Sequence, residues 1–396
     1  MFVRFLFLLI LISTPLWIVS GSNLPFAVNN GGEKPVPVIT AQGHCAWPNL
    51  TLLKDGRTIA AVIFNQASHG SRPGDVECWL SGDGGVTWTF GSAATQHEPE
   101  TIRMNHAAGL AKNGDLIVLT GGWSNRWPPD VKRERGSFRY KTLGPWISRS
   151  PYENKILNVG VSWYVDKKSF PQEAPGGLPA TPFGDLQTAE NGDLCASVYA
   201  PRKPWKTYSE RQFRSWIIRS KDDGKTWDPE PAVIGPDANE TMVLHLGKGK
   251  WLAAARTGSG VDGKDQVQLY ASDDDARTWT HRRTMTGFQR VNGHLCKLHD
   301  GSTVFSYGDR ASEPGQRGIE AMISYDQGKT WSDPIRLADW NGADGGYPST
   351  VQRKDGQMVT AYYCSALPGQ EPGSIKGYHM EVIVWDAVGS FSQITQ

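Results

Sequence analysis

Ser81–Trp88 reads SGDGGVTW, Ser220–Trp227 reads SKDDGKTW and Ser324–Trp331 reads SYDQGKTW: three copies of one pattern, Ser-x-Asp-x-Gly-x-Thr-Trp. A fourth copy, Ser272–Trp279 (SDDDARTW), carries Ala276 where the others have Gly. A worn fifth copy at Ser150–Leu157 (SPYENKIL) completes the series, with start-to-start spacings of 69, 70, 52 and 52 residues. Self-similarity on that scale marks a repeat architecture in which each unit is one small supersecondary element. The residue types inside the box are those of a stapled turn. The Asp carboxylate accepts backbone N–H groups across its own turn, the Gly takes a positive φ, and the Trp packs against the sheet. The run Asp273-Asp274-Asp275 invites a calcium reading, but it lies in register with the other boxes, so a turn role is expected for it.

A second periodic signal interleaves with the first. Asp55-Gly56, Asn113-Gly114, Asn191-Gly192, Lys248-Gly249, Asp300-Gly301 and Asp355-Gly356 each precede an apolar strand. Such dipeptides between apolar runs signal short hairpins, with φ > 0 expected at both turn residues. Each of the first five is followed by one box, and the sixth by the end of the sequence. Six four-stranded antiparallel blades arranged radially fit this pattern, an all-β, six-bladed β-propeller. The last blade is expected to close with an N-terminal strand around Pro35–Ala41, and Trp88, Trp227, Trp279 and Trp331 are expected to be buried.

Composition agrees. The 44 Gly and 25 Pro among 396 residues suit many short strands and tight turns. The 41 Lys+Arg against 40 Asp+Glu leave a formal charge of +1, which argues against a nucleic-acid partner. With 39% hydrophobic residues the chain can bury a core, so disorder is excluded. Residues 1–22 read as a secretory signal: a basic start through Arg4, an apolar run from Phe5 to Val19 broken by Pro15, then Ser20-Gly21-Ser22. That run is shorter than the roughly 20 residues of a membrane span, and no other segment is a candidate. Residues 23–396 are expected to form one propeller domain, exported to a secreted or periplasmic location, without a membrane span after cleavage, and monomeric. The five Cys are scattered; Cys45 and Cys78 bracket one short region and are the expected pair. No Cys/His cluster has zinc spacing, and HExxH, Walker A, GxGxxG and GxSxG motifs are absent, so no metal and no cofactor are expected.

The box is the Asp-box, or bacterial neuraminidase repeat, and with six blades the chain resembles the sialidase (neuraminidase) superfamily over nearly its whole mature length. That resemblance implies an Arg triad gripping a sugar carboxylate, a Tyr–Glu pair as nucleophile and base, and an Asp as acid/base. Asn239-Glu240-Thr241 followed by Leu252-Ala253-Ala254-Ala255-Arg256 resembles the Glu-bearing strand and the second Arg. Ser306-Tyr307-Gly308-Asp309-Arg310 resembles the third Arg segment, and Gly346-Tyr347-Pro348-Ser349 the segment holding the nucleophile. Two positions depart from the family pattern. Cys45-Ala46-Trp47-Pro48 stands where a Phe-Arg-Ile-Pro motif belongs, with Ala46 in place of the first Arg. The loop that should hold the acid/base Asp, Phe64 to Arg72, has no acid before Asp75, and His69 occupies it instead.

The candidate catalytic residues are therefore Tyr347, Glu240 and His69, since a His near neutral pKa serves as general acid or base. The candidate substrate-binding residues are Arg256 and Arg310, with Arg72 and Arg103 as substitutes for the missing Arg, and His294; His44 and His106 share its strand-to-loop setting. The resemblance implies an exported glycosidase acting on a carbohydrate substrate, a glycan with an acidic sugar. Two other readings stay open: a uronate-directed glycosidase or polysaccharide lyase using His and Tyr, and a non-catalytic glycan-binding propeller. Trp123 to Pro129 and Trp205 could line a sugar cleft or fill blade interfaces.

Overall fold

The computed structural model describes residues 27–28, 34–44, 47–67, 73–124, 129–130, 132, 141–166, 170, 180–202, 210, 212–228, 230–259 and 263–388. The signal-peptide reading of residues 1–22 falls outside this set, as do Cys45, Ala46, His69, Arg72 and Trp205. No helix among the described residues is long and apolar enough to cross a membrane.

The strands assemble as six four-stranded antiparallel blades. Blade I is Asn49–Leu52, Ile59–Phe64, Val76–Ser81 and Thr89–Ala93; blade II is Ile102–Leu110, Leu116–Ser124, Lys141–Ser150 and Val161–Tyr164. Blade III runs Thr181–Thr188, Leu194–Pro201, Phe213–Ser220 and Ala232–Gly235, and blade IV Ala238–Gly247, Lys250–Thr257, Gln266–Ser272 and Thr280–Thr284. Blade V is Arg290–Lys297, Thr303–Asp309, Arg317–Ser324 and Ile335–Trp340. Blade VI takes Gly345–Gln352, Met358–Cys364 and His379–Trp385 from the C-terminal end of the chain and Val38–Thr40 as its outer strand, with Ile39 opposite Glu381. That closure lies within the segment expected from the sequence. A further two-residue ladder joins Ala27–Val28 to Ala387–Val388.

The core is divided among the blade interfaces. The second strand of blade I shows how: Ile59, Ala61 and Ile63 face blade VI, while Ala60 and Val62 face blade II, so a strand of period two is apolar on both sides. Trp88 packs with the blade I/VI cluster, Trp227 with II/III, Trp279 with III/IV and Trp331 with IV/V. Each box Trp therefore seals its blade against the preceding one. Trp88 and Trp227 are buried, while Trp279 and Trp331 are partly buried.

The box chemistry repeats closely. Asp83 accepts the Ser81 hydroxyl at 2.9 Å, the Val86 and Thr87 amides at 3.1 and 2.9 Å, and the Thr87 hydroxyl at 2.5 Å. Asp274 and Asp326 do the same in their boxes. Partial burial works against the charged form, but these hydrogen bonds outweigh it and hold Asp83 and Asp274 at about 2. Gly85 has φ 101°, and a Cβ there would stand 2.8 Å from Val359 of the preceding blade. Ala276 takes the same role at φ 61°. The worn copy is replaced by a small hairpin, Tyr152–Glu153 with Ile156–Leu157, whose Tyr152 hydroxyl bonds Thr58 and Asp55 of blade I. The neighbours of Asp274 are each engaged: Asp273 with Arg282, and Asp275 with Trp251 and Arg219.

Two expectations are corrected. Only Lys248-Gly249 has φ > 0 at both turn residues; in the other five turns the Gly alone does. There the Asp or Asn carboxyl or amide oxygen accepts the amide two residues on, as Asp55 does from Arg57 at 2.9 Å and Asn191 from Asp193 at 3.0 Å. The acidic or amide residue acts through its side chain, an Asx turn, and not through a left-handed backbone. The Cys45–Cys78 pairing is not formed. Cys78 is a free thiol buried at the blade I/II interface, where burial pushes its pKa up to about 12.

Candidate functional site

Each inner strand begins at one mouth of the channel, and the antiparallel order then sends the first hairpin and the box to the opposite end. In blades II to VI the inner strand carries a register irregularity near this mouth, between Met104 and His106, Phe183 and Gln187, Ala238 and Thr241, Val291 and His294, and Gly346 and Ser349. Bulges re-aim side chains. Here they turn residues from blades II to VI into a solvent-open pocket that Trp47 and Asn49 of blade I complete, lined by Asn105, His106, Phe183, Glu240, Asn292, His294 and Tyr347 among others. Tyr347 itself sits at φ 57° between Gly346 and Pro348, an uncommon conformation for a bulky residue and one characteristic of functional positions.

The structure brings Tyr347, Glu240, Arg256 and Arg310 together. The Tyr347 hydroxyl donates to Glu240 Oε1 at 2.8 Å, and Arg256 Nη1 donates to Glu240 Oε2 at 2.8 Å and to the Tyr347 oxygen at 3.3 Å. Arg256 is fixed from behind by Asp265, Nε to Oδ1 at 2.8 Å and Nη2 to Oδ2 at 2.7 Å. Arg310 places its guanidinium 5.2 Å from the Tyr347 ring centre and donates from Nε to the Gly345 carbonyl at 2.8 Å and from Nη2 to Asp344 at 3.2 Å. Trp47, Phe183 and Tyr363 surround the Tyr347 ring at centroid distances of 6.3, 6.1 and 5.8 Å. Burial first, and then the adjacent Glu240 carboxylate, push the Tyr347 hydroxyl well above its ordinary value, against the pull of both arginines. Tyr347 is thus a neutral phenol with an acceptor in place for its proton.

The other candidates are placed differently. His294 lines the pocket, but both ring nitrogens are engaged: Nδ1 accepts the Thr350 amide at 3.3 Å, and Nε2 faces Asp185 at 3.3 Å and Ser349 at 3.2 Å. Arg103 does not join the pocket. It is buried within blade II, donating to the Gly144 carbonyl at 2.7 Å beside the rings of Trp146 and Tyr164. Gly122 on the neighbouring strand leaves room for it, since a Cβ there would stand 3.1 Å from Arg103 Cδ. His69, Arg72 and Ala46 lie outside the described residues. Asp75 is held by Thr95 at 2.8 Å and His97 at 2.6 Å, and His44 by Glu77 at 2.9 Å. Sequence reasoning missed Asp265, Asp344, Asn49 and Asn292. An acid nine positions after Arg256 was the available signal for Asp265.

The BNR repeat-like domain family matches residues 157–360, more than half of the chain. The chain belongs to this family, within the sialidase superfamily of six-bladed propellers. A sialidase of Clostridium perfringens is 24% identical over 247 residues, 61% of each chain. A second sialidase, from Paraclostridium sordellii, is 22% identical over 262 residues, and the chain spans about three fifths of the length of these curated relatives. Among solved structures, a Dyadobacter fermentans protein of unknown function superposes with a TM-score of 0.69 at 23% identity, covering 89% of this chain and 99% of that one. Trypanosoma rangeli sialidase in complex with the inhibitor DANA gives a TM-score of 0.58 at 16% identity, over 91% of this chain and 58% of its own.

Proposed function

We propose that this protein is a glycoside hydrolase of the sialidase type, working outside the cytoplasm on glycans that carry an acidic sugar. The observation that carries this reading is the 2.8 Å hydrogen bond from the Tyr347 hydroxyl to Glu240, with Arg256 bridging the pair. In the first step the Tyr347 oxygen attacks the anomeric carbon while its proton passes to Glu240. The glycosidic bond breaks, and the leaving oxygen takes a proton from a general acid, assigned to His69 by its place in the sequence. Water then cleaves the Tyr–sugar bond, with the proton flow reversed. A neutral phenol suits an anionic sugar because it approaches without charge repulsion, and tyrosine is the known nucleophile exception among glycosidases.

Arg310 is the main partner proposed for the sugar carboxylate, through a charge-assisted pair. Arg256 already serves Asp265, Glu240 and Asn292, so its role is to hold Glu240 and the Tyr347 oxygen. A clamp reduced in this way favours weak activity on simple sialosides and a preference for another acidic sugar. Digestion of a glycan panel with mass analysis of the products tests the reading. Release of a free acidic sugar is the expected result. An unsaturated uronate absorbing in the ultraviolet would replace hydrolysis by a lyase reaction, and binding without turnover would leave only a lectin.

A further inference from the structure

Three pocket-lining side chains from three blades are almost wholly buried, and each keeps one polar atom without a partner. They are Asn49 Oδ1, His106 Nδ1 and Asn292 Nδ2, in residues 5%, 5% and 2% exposed. Buried polar atoms in native proteins are nearly always satisfied, so three orphans lining one pocket point to a ligand that supplies the missing bonds.

Their donor and acceptor identities are set by their neighbours. The Asn49 amide nitrogen donates to the Gly184 carbonyl at 3.0 Å and to Asp185 Oδ1 at 2.7 Å, which leaves its oxygen as the unpartnered acceptor. Arg256, a donor only, points Nη1 at Asn292 Oδ1 at 3.2 Å, which leaves the Asn292 amide nitrogen as a donor. His106 meets the backbone of Val62 and Trp47, and burial pushes its pKa down to about 4, so the ring is neutral; with its N–H given to the backbone, the unpartnered Nδ1 is the acceptor. Asp185 and His294, engaged with each other at 3.3 Å, hold Asn49 in this orientation. The three unpartnered atoms thus comprise two acceptors and one donor, all on uncharged side chains. A carboxylate, which only accepts, cannot satisfy that set, and an alkyl group satisfies none of it. Free hydroxyl groups, each donor and acceptor at once, satisfy all three.

We propose that Asn49, His106 and Asn292 form a hydroxyl-reading subsite, which binds the unsubstituted hydroxyls of the glycosyl group beside Tyr347 and rejects sugars acylated or sulfated on that face. This rests on the reading of the pocket as a sugar site and adds to it where the neutral side of the sugar lies, away from Arg310.

The test is calorimetric titration of the full-length protein and of Asn292→Gly with N-acetylneuraminic acid, D-glucuronic acid and D-galactose. Asn292 has φ 62°, so Gly keeps the backbone and removes only the amide. A thermal melt checks that the variant folds, and His106→Phe provides a second arm that leaves Arg256 untouched. The expected result is that at least one sugar binds and that each variant weakens it about three- to tenfold. Among monodeoxy forms of the sugar that binds, one should cost the wild type that same factor and cost Asn292→Gly nothing, a non-additivity that a purely structural role would not produce. Binding of galactose without either acid would uphold the subsite while removing the acidic-sugar reading. Equal binding of a sugar by the wild type and both variants would overturn the subsite and leave the wider reading standing. If none of the three sugars binds, both fall.

Discussion

At the residue scale the site is a chain of constraints ending on one phenol. Asp265 fixes Arg256, Arg256 fixes Glu240, and Glu240 accepts from a Tyr347 held at positive φ. Tyr347→Phe should reduce turnover by at least about 10³-fold, and Glu240→Gln by roughly 10²–10⁴-fold, as expected for loss of a positioned base; steady-state kinetics on the preferred glycan measures both. Arg256→Ala removes the cation that the Glu240 and Asp265 carboxylates share. Breaking a buried pair costs about 3–5 kcal/mol, and since the Arg256 side chain is 12% exposed the lower end is expected, read as a drop in the denaturation midpoint. His69→Ala should harm turnover more than Asp75→Ala, because Asp75 is already occupied by Thr95 and His97. The four convergent residues could be found in the sequence because each sits in a short local pattern at a strand end. Asp265 offered only an acid nine positions after Arg256, and Asn292 no local signal at all, since its role depends on a contact between blades.

At the scale of elements, the box couples a turn to an interface. Ser, Asp and Thr tie the turn, Gly lets it approach the preceding blade, and Trp fills the gap. This was legible because the box is local and repeated. The turn type was not, because Asx turns and left-handed hairpins share the Asp-Gly and Asn-Gly signature, and only the number of residues between paired strands separates them. Asp326→Ala should cost about 1 kcal/mol, comparable to loss of a capping side chain, and lower the melting temperature by about 2–4 °C. Asp83 and Asp274 have folded pKa values of about 2, below the ordinary 3.8. Depressed carboxylates contribute stability that is fully present above the unfolded value and is lost as pH falls through the folded one. Thermal melts should therefore be insensitive to these groups above about pH 5 and fall steeply between about pH 4 and 2. A double variant carrying Asn at both positions should be less stable at neutral pH and show a shallower acid decline.

Across the whole molecule, closure decides whether the site exists. Val38–Thr40 seals blade VI, the blade that supplies Tyr347, and its loss would expose the His379–Trp385 edge. A chain starting at residue 42 should melt at lower temperature and aggregate, as seen by calorimetry and light scattering. Closure was legible in the sequence because six hairpin turns were matched by only five boxes, which left the C-terminal blade lacking its outer strand. The radial order then brings blades IV, V and VI to one mouth and assembles Glu240, Arg256, Arg310 and Tyr347 without any being neighbours in sequence. Covalent trapping addresses this arrangement most directly. The protein is incubated with a fluorinated acidic glycosyl fluoride of the sugar released in the panel digestion, quenched, and mapped by peptide mass spectrometry. A single sugar adduct on the peptide containing Tyr347, slowed in Glu240→Gln and absent from Tyr347→Phe, is the predicted result. An adduct on any other residue, or undiminished turnover by Tyr347→Phe, would contradict it.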